Sequence, residues 1–436
     1  MLKEKIHQLS TAMNQELIDC RRDFHRYAET AWTEFRTASL VANNLSRLGY
    51  QVLTGDAVVK TGAMMGVPSP EELAVHLERA RNQGAIISYL DAMKHGQTGV
   101  VAILNTGRPG PVVALRFDLD ANDVNESTVS VHRPVAEGFA SINSGAMHAC
   151  GHDGHTAIGL GVGQVLIQLQ DQLNGTVKLI FQPAEEGVRG ARAMTESGIV
   201  DDVDYMLGMH IGFLGKRTGQ LVCGGEGFLA TTKLDATFVG TPAHAGAAPQ
   251  KGKNALLAAA TAAVSLHAIS RHSDGISRIN VGVLQAGTGR NVVPANALLK
   301  LETRGVTTAI DGYMREEATR IIQGAAAMYG TDVSINEMGG AVGGKSTPKL
   351  AATLKDTAIA TGLFDEIIDT GDLGASEDFT YFMERVQQKG GQSVYAMVGA
   401  NIAAGHHDNR FDFDEAALAK SVELLSLLTA NLLQKH

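Results

Sequence analysis

The chain has 436 residues, 44% of them hydrophobic and 19% charged, which exceeds what one core organises and makes two domains the default. A formal charge of -9 argues against nucleic acid or an anionic membrane as the main partner, and no stretch approaches the roughly 20 apolar residues of a membrane span. Cys20, Cys150 and Cys223 show no pairing pattern and residues 1–22 hold no uninterrupted apolar core of signal-peptide length, so a cytoplasmic setting is expected.

In chain order, Ile6, Leu9, Met13 and Leu17 recur at helical spacing, and a second helix from about Thr33 ends at Gly49. Ser69-Pro70-Glu71-Glu72 has the spacing of a capping box with proline at the first helical position, which predicts a helix running to about Lys94. Residues 98–104 and 112–117 read as strands, the second ending at Asp118-Leu119-Asp120. The run His148-Ala149-Cys150-Gly151-His152-Asp153-Gly154-His155 follows, then a helix marked by Ile158, Val162, Val165 and Leu169. Further strands are expected at 176–181, ending at Gln182-Pro183-Ala184-Glu185-Glu186-Gly187, at 204–209 before His210, and at 393–399 before His406-His407. Between them, 231–239, 254–270, 278–284, 297–303, 309–329 and 332–337 read β-α-β-β-α-β, a small antiparallel domain expected at 228–339 and inserted into a catalytic domain of 1–227 and 340–436. The expected class is α/β, with a mixed, mainly parallel sheet flanked by helices and an inserted ferredoxin-like domain.

Ligands of such a sheet bind beyond the carboxyl ends of its strands, where these polar groups fall. Cys150, His152, Glu186, His210 and the pair His406 and His407 come from four segments that would share one edge. Neighbouring Glu185 and Glu186 point in different directions, so one carboxylate can bind metal while the other faces a water as general base. Such a set could hold one ion or two, but the inventory is too large for one catalytic zinc, which takes three protein ligands and an open position, so a pair of ions sharing a bridging water is expected. Asp118, Asp120 and Asp153 then read as groups that orient ligand imidazoles.

The words ALRFDLDA (114–121), MHACGHDGHTA (147–157), FQPAEEG (181–187), MHIG (209–212), GTPAHAG (240–246), GRNVVP (289–294), SEDF (376–379) and HHDNRFDFDE (406–415) resemble the M20 metallopeptidase family, specifically its amidohydrolase branch. That resemblance implies Cys150, His152, Glu186, His210 and His407 as ligands of two divalent ions and Glu185 as general base and later proton donor. His407 stands four residues before Phe411, although Asn409 fills the usual proline position and leaves His406 a substitute. By the same resemblance His244 stabilises the oxyanion, commonly in a neighbouring subunit's site, and Asn291 and Arg304 bind substrate or oxyanion. The implied reaction is hydrolysis of p-aminobenzoyl-glutamate or a closely related N-acyl glutamate or dipeptide, by a homodimer, a hetero-oligomer with a homologous B-type subunit, or both. A broader N-acyl amino acid or hippurate amidohydrolase, or a non-catalytic metal-binding subunit, is the alternative. The branch implies manganese, whereas the cysteine suits zinc.

Overall fold

The computed structural model describes residues 2–434. Its strands are β1 (Gln51–Thr54), β2 (Val100–Asn105), β3 (Val112–Asp118), β4 (Thr176–Gln182), β5 (Tyr205–Ile211), β6 (Gln220–Glu226), β7 (Ala230–Val239), β8 (Ser277–Ala286), β9 (Asn296–Gly305), β10 (Asp332–Ala341), β11 (Glu366–Asp372) and β12 (Gln392–Val398). They divide between two compact units.

The first unit holds residues up to Glu226, Lys345–Leu373 and Asp378 onward. Its eight strands run β1-β2-β4-β3-β5-β12-β6-β11. The pairs β4–β3, β3–β5, β5–β12 and β6–β11 are parallel, while β1–β2, β2–β4 and β12–β6 are antiparallel. Strand β1, of four residues, and strands β6 and β11 carry too little apolar alternation to stand out in the sequence. Because β1 runs in the same direction as β4, the segment between β1 and β2 leaves and re-enters the sheet on the edge where β3, β4, β5 and β12 end.

That segment contains helix Pro70–Asn82, opened by the expected capping box at Ser69 and Glu72. The single helix expected to reach Lys94 is in fact two, because Gly84 adopts a left-handed φ of 92° and a second helix starts at Ile87. Left-handed backbone cannot continue a right-handed helix.

Helix His152–Ile167 is buried along nearly its whole length. Glycine allows this: a Cβ on Gly159 would fall 2.7 Å from both Phe117 and Phe181, side chains of β3 and β4. The helix therefore lies unusually close to the sheet, which presses its N-terminal residues onto the strand ends.

The second unit spans Gly227–Gly344 with Gly374–Glu377. Its antiparallel sheet has the order β10-β7-β9-β8. Ala258, Ala262 and Leu266 of one helix and Met314, Ala318 and Ile322 of the other pack on Leu234, Ala236, Phe238 and Leu299. Among the described residues no helix is long and apolar enough to cross a membrane.

Candidate metal centre

β3, β4, β5 and β12 deliver the polar residues to one edge of the first unit. Left-handed Gly151, φ 93°, reverses the chain between Cys150 and His152. His210 ends β5 beside them, and the main-chain N–H of His407 donates to the Ala149 carbonyl at 2.7 Å, tying the last loop to the same place.

Cys150 Sγ lies 3.5 Å from His210 Nε2. Sulfur and nitrogen bound at about 2.3 and 2.0 Å to one tetrahedral ion stand roughly 3.5 Å apart. His407 Nε2 lies 3.4 Å from Glu186 Oε1, close to the roughly 3.3 Å edge for nitrogen and oxygen ligands. The donors of Cys150, His152 and His210 all fall within 4.8 Å of one another, as do those of Cys150, Glu186 and His407. Cys150 is common to both trios, and His152, Glu185 and Glu186 form a third.

Hydrogen bonds prepare these donors. His152 Nδ1 donates to the Asp120 carbonyl at 2.9 Å and His210 Nδ1 to that of Ile211 at 2.7 Å, which leaves each Nε2 as a bare lone pair. His152 Nε2 and Glu186 Oε1 are buried without a hydrogen-bond partner, a cost that a bound cation removes. Burial and the nearby imidazoles of His155 and His406 push His210 well below its ordinary pKa, favouring the neutral, ligating form. At His152 burial opposes the proton, yet Asp118, Asp120 and Glu186 push its pKa up to about 10. Such surroundings demand positive charge, and the donor chemistry fits divalent metal.

One carboxylate sets both glutamates. Asp120 accepts the main-chain N–H of Glu185 on Oδ1 at 3.0 Å and that of Glu186 on Oδ2 at 2.8 Å. Glu34, which the sequence reading missed, is fully buried and accepts from the Trp32 N–H (3.0 Å), the Ala184 N–H (2.8 Å) and the Thr98 hydroxyl (2.6 Å). Its sequence neighbours, Thr33, Phe35 and Arg36, carry no signal of that role. Backbone strain gathers at the same edge: Ala184, Val188, Phe213 and His407 have φ between 52° and 67°, as does Trp32 at 66°. Asn122 exchanges both main-chain bonds with Met147 and accepts the Ala149 N–H on its side chain at 3.0 Å.

Other expected residues fall differently. His406 donates Nε2–H to the Ile211 carbonyl at 3.1 Å and stacks on Phe213, so its Nε2 is committed to the protein, whereas His407 Nε2 faces Glu186. Asp118 takes the Nδ1–H of His155 at 2.6 Å, and His155 Nε2 in turn accepts the Ile211 N–H at 3.0 Å, so Asp118 fixes the end of β5. Its contact with His152 is longer, at 3.8 Å. Asp153 does not orient a ligand imidazole, contrary to expectation. It accepts from Arg21 at 2.7 Å, His25 at 2.8 Å and the Gly154 N–H, because the first helical turn rotates it away from His152.

In the second unit, His244 pairs with Val292, and the Asn291 carbonyl accepts the Ala245 N–H at 3.0 Å. His244 Nδ1 accepts the N–H groups of Gly246 and Ala247, both at 3.1 Å, so the ring's proton sits on exposed Nε2. Arg304 lies near the opposite end of β9, where Glu302 holds its Nε at 3.0 Å. Eight residue steps along the strand carry β9 from Asn296 to Arg304, roughly 26 Å. His244 and Asn291 are brought together, and Arg304 stands apart from both.

A thiolate, imidazoles and carboxylates around bare lone pairs, with a second glutamate alongside, define a divalent-metal hydrolase. The chain belongs to peptidase family M20/M25/M40, which it matches over residues 114–431. It is 52% identical to the A-type subunit of p-aminobenzoyl-glutamate hydrolase from Escherichia coli, covering 98% of each chain. It is 53% identical to indole-3-acetyl-aspartic acid hydrolase of Enterobacter agglomerans, covering 99% of this chain and 98% of the relative. The crystal structure of an aminobenzoyl-glutamate utilization protein from Klebsiella pneumoniae superposes with a TM-score of 0.85 at 46% identity, covering 99% of this chain and 98% of that one.

Proposed function

We propose that this protein hydrolyses the amide bond of an N-acyl glutamate or aspartate with an aromatic acyl group, p-aminobenzoyl-glutamate being the favoured substrate. The observation that carries the reading is the membership of Cys150 in two donor trios with Glu185 beside them. Cys150, His152 and His210 would hold one divalent ion and Cys150, Glu186 and His407 a second. Manganese follows from the resemblance, with zinc the alternative that a thiolate favours. Such ions polarise a carbonyl and acidify water.

The protein residues carry the proton and the charge. Glu185 takes a proton from the attacking water and returns it to the leaving amine nitrogen. His244 donates Nε2–H to the developing oxyanion, and Asn291 supports it from the neighbouring loop. Arg304 holds a substrate carboxylate through paired N–H groups. The separation along β9 supports a site completed by a second copy, or by a homologous B-type subunit: one chain supplies Arg304 and its partner His244 and Asn291. The expected compartment is the cytoplasm.

The test is turnover by the purified chain, loaded separately with Mn²⁺ and Zn²⁺, on p-aminobenzoyl-glutamate, indole-3-acetyl-aspartate, hippurate and N-acetyl-leucine. Preference for the first two supports the reading. Preference for hippurate or N-acetyl-leucine replaces it with a broader amidohydrolase, and inactivity that a B-type partner relieves assigns a supporting role to this chain.

A further inference from the structure

Phe213 occupies a position that packing alone does not explain. It follows Gly212, whose φ is 84°, and itself adopts a φ of 52°, a conformation that bulky side chains rarely take. The ring remains 37% exposed, so burial does not compensate the strain. Instead the two left-handed residues turn the chain just past β5 and lay the ring against the candidate ligand His210, with centroids 4.4 Å apart at 64°. Its other neighbour is His406, parallel within 1° at 4.1 Å. His406 is locked in turn by its bond to the Ile211 carbonyl and by Phe411, 5.0 Å away. No Cβ fits at Gly212, where it would meet His406 at 2.7 Å, so the stack requires glycine there. The result is a rigid aromatic ledge, backed by a second ring and open to solvent beside the metal centre.

Resting on the proposed amidohydrolase function, we propose that Phe213 is the platform on which the planar aromatic ring of the acyl group stacks, selecting aroyl and aryl-acetyl amides over aliphatic ones. A planar ring near a fixed phenyl face gains stacking energy beyond its buried area, whereas an acetyl group offers no such surface. Two relatives with more than half of their residues identical carry names with aromatic acyl groups, p-aminobenzoyl and indole-3-acetyl. A platform tolerates both because stacking reads flatness and not ring substituents.

The test compares kcat/KM for p-aminobenzoyl-glutamate with that for N-acetyl-glutamate in the wild type, Phe213→Ala and Phe213→Tyr, with metal content measured in each. Phe213→Ala is expected to lower the aroyl-to-acetyl ratio about tenfold, mainly through KM, and Phe213→Tyr to restore it. A ratio within about twofold of wild type, or a loss that tracks lost metal through His210, overturns the platform while leaving the amidohydrolase intact. A wild type that cleaves N-acetyl-glutamate but not the aroyl substrate overturns the proposed substrate and the platform together. If the wild type cleaves neither, calorimetric binding of p-aminobenzoate to the metal-loaded wild type and Phe213→Ala decides: weakening in the variant upholds the platform, and equal binding overturns it.

Discussion

Cys150 Sγ and His210 Nε2 stand 3.5 Å apart, the separation of a thiolate and an imidazole gripping one ion. Because Cys150 also belongs with Glu186 and His407, its loss is expected to empty more than one position. Cys150→Ala should weaken metal binding by more than roughly 100-fold, while His407→Ala should remove about one ion and leave the other. Metal analysis after dialysis checks both, and a Cys150→Ala protein that keeps two ions would remove cysteine from the centre.

Glu185 is proposed to move protons and not to hold the fold. Glu185→Gln should keep its metal and its melting temperature yet lose about 10²- to 10⁴-fold in kcat. An active variant with full metal would sink the assignment.

The position of Arg304 at the end of β9 away from Asn296 makes a sharper demand. His244→Ala and Arg304→Ala should each be nearly inactive, the first mainly through kcat by about 10²- to 10³-fold. Mixed and allowed to exchange subunits, the two variants should recover about one quarter of wild-type activity, since half the dimers are mixed and one of their two sites is intact. Absence of recovery would place all the residues of a site within one chain.

Glu34 links Trp32, Thr98 and Ala184 at the strained glutamate turn. Glu34→Ala leaves the Trp32 and Ala184 N–H groups unsatisfied in the interior, at about 1–3 kcal/mol each. Glu34→Gln retains an acceptor for them and should be milder. Urea midpoints separate the two, and kcat should fall in Glu34→Ala because Ala184, the residue before Glu185, loses the acceptor of its N–H.

A pH signature arises away from the metal. Burial disfavours the charge of His25, but its hydrogen bonds to Asp153 and Glu126 outweigh that and raise its pKa above 6.5. A raised histidine contributes stability that is complete below 6.5 and is lost as pH climbs through the folded value. Asp153, Glu126, Asp412 and Glu415 are held below their ordinary values by Arg21, His25, Arg133 and Arg22 against the push of burial, so their contribution vanishes on acidification. In chelator, the urea midpoint should therefore fall as the pH rises above about 6.5, and His25→Gln should flatten that decline.

The ligand-bearing strand ends were legible because β3, β4, β5 and β12 have strong apolar runs that stop at polar words. Strands β1, β6 and β11 were not, since edge and glycine-rich strands lack alternation, and the break at Gly84 was hidden in a pattern otherwise helical throughout. Sequence placed Asp153 in the right cluster but not on the right side of it, because helical rotation after Gly151 decides which neighbour a side chain meets. Arg21, His25 and Glu34 escaped notice for a related reason: each is defined by a partner more than sixty residues away, and spacing along one chain does not encode that.

The single carboxylate of Asp120 has a further implication for how this centre can change. With one oxygen on each of two successive peptide N–H groups, Asp120 pins the backbone on both sides of Glu185. Substituting Asp120 cannot retune the proposed base Glu185 without also shifting the proposed ligand Glu186 beside it, so variants that alter metal preference and variants that alter proton transfer should travel together. Independent adjustment is left to groups outside that clamp, such as His407 on its separate loop and the exposed ring of Phe213.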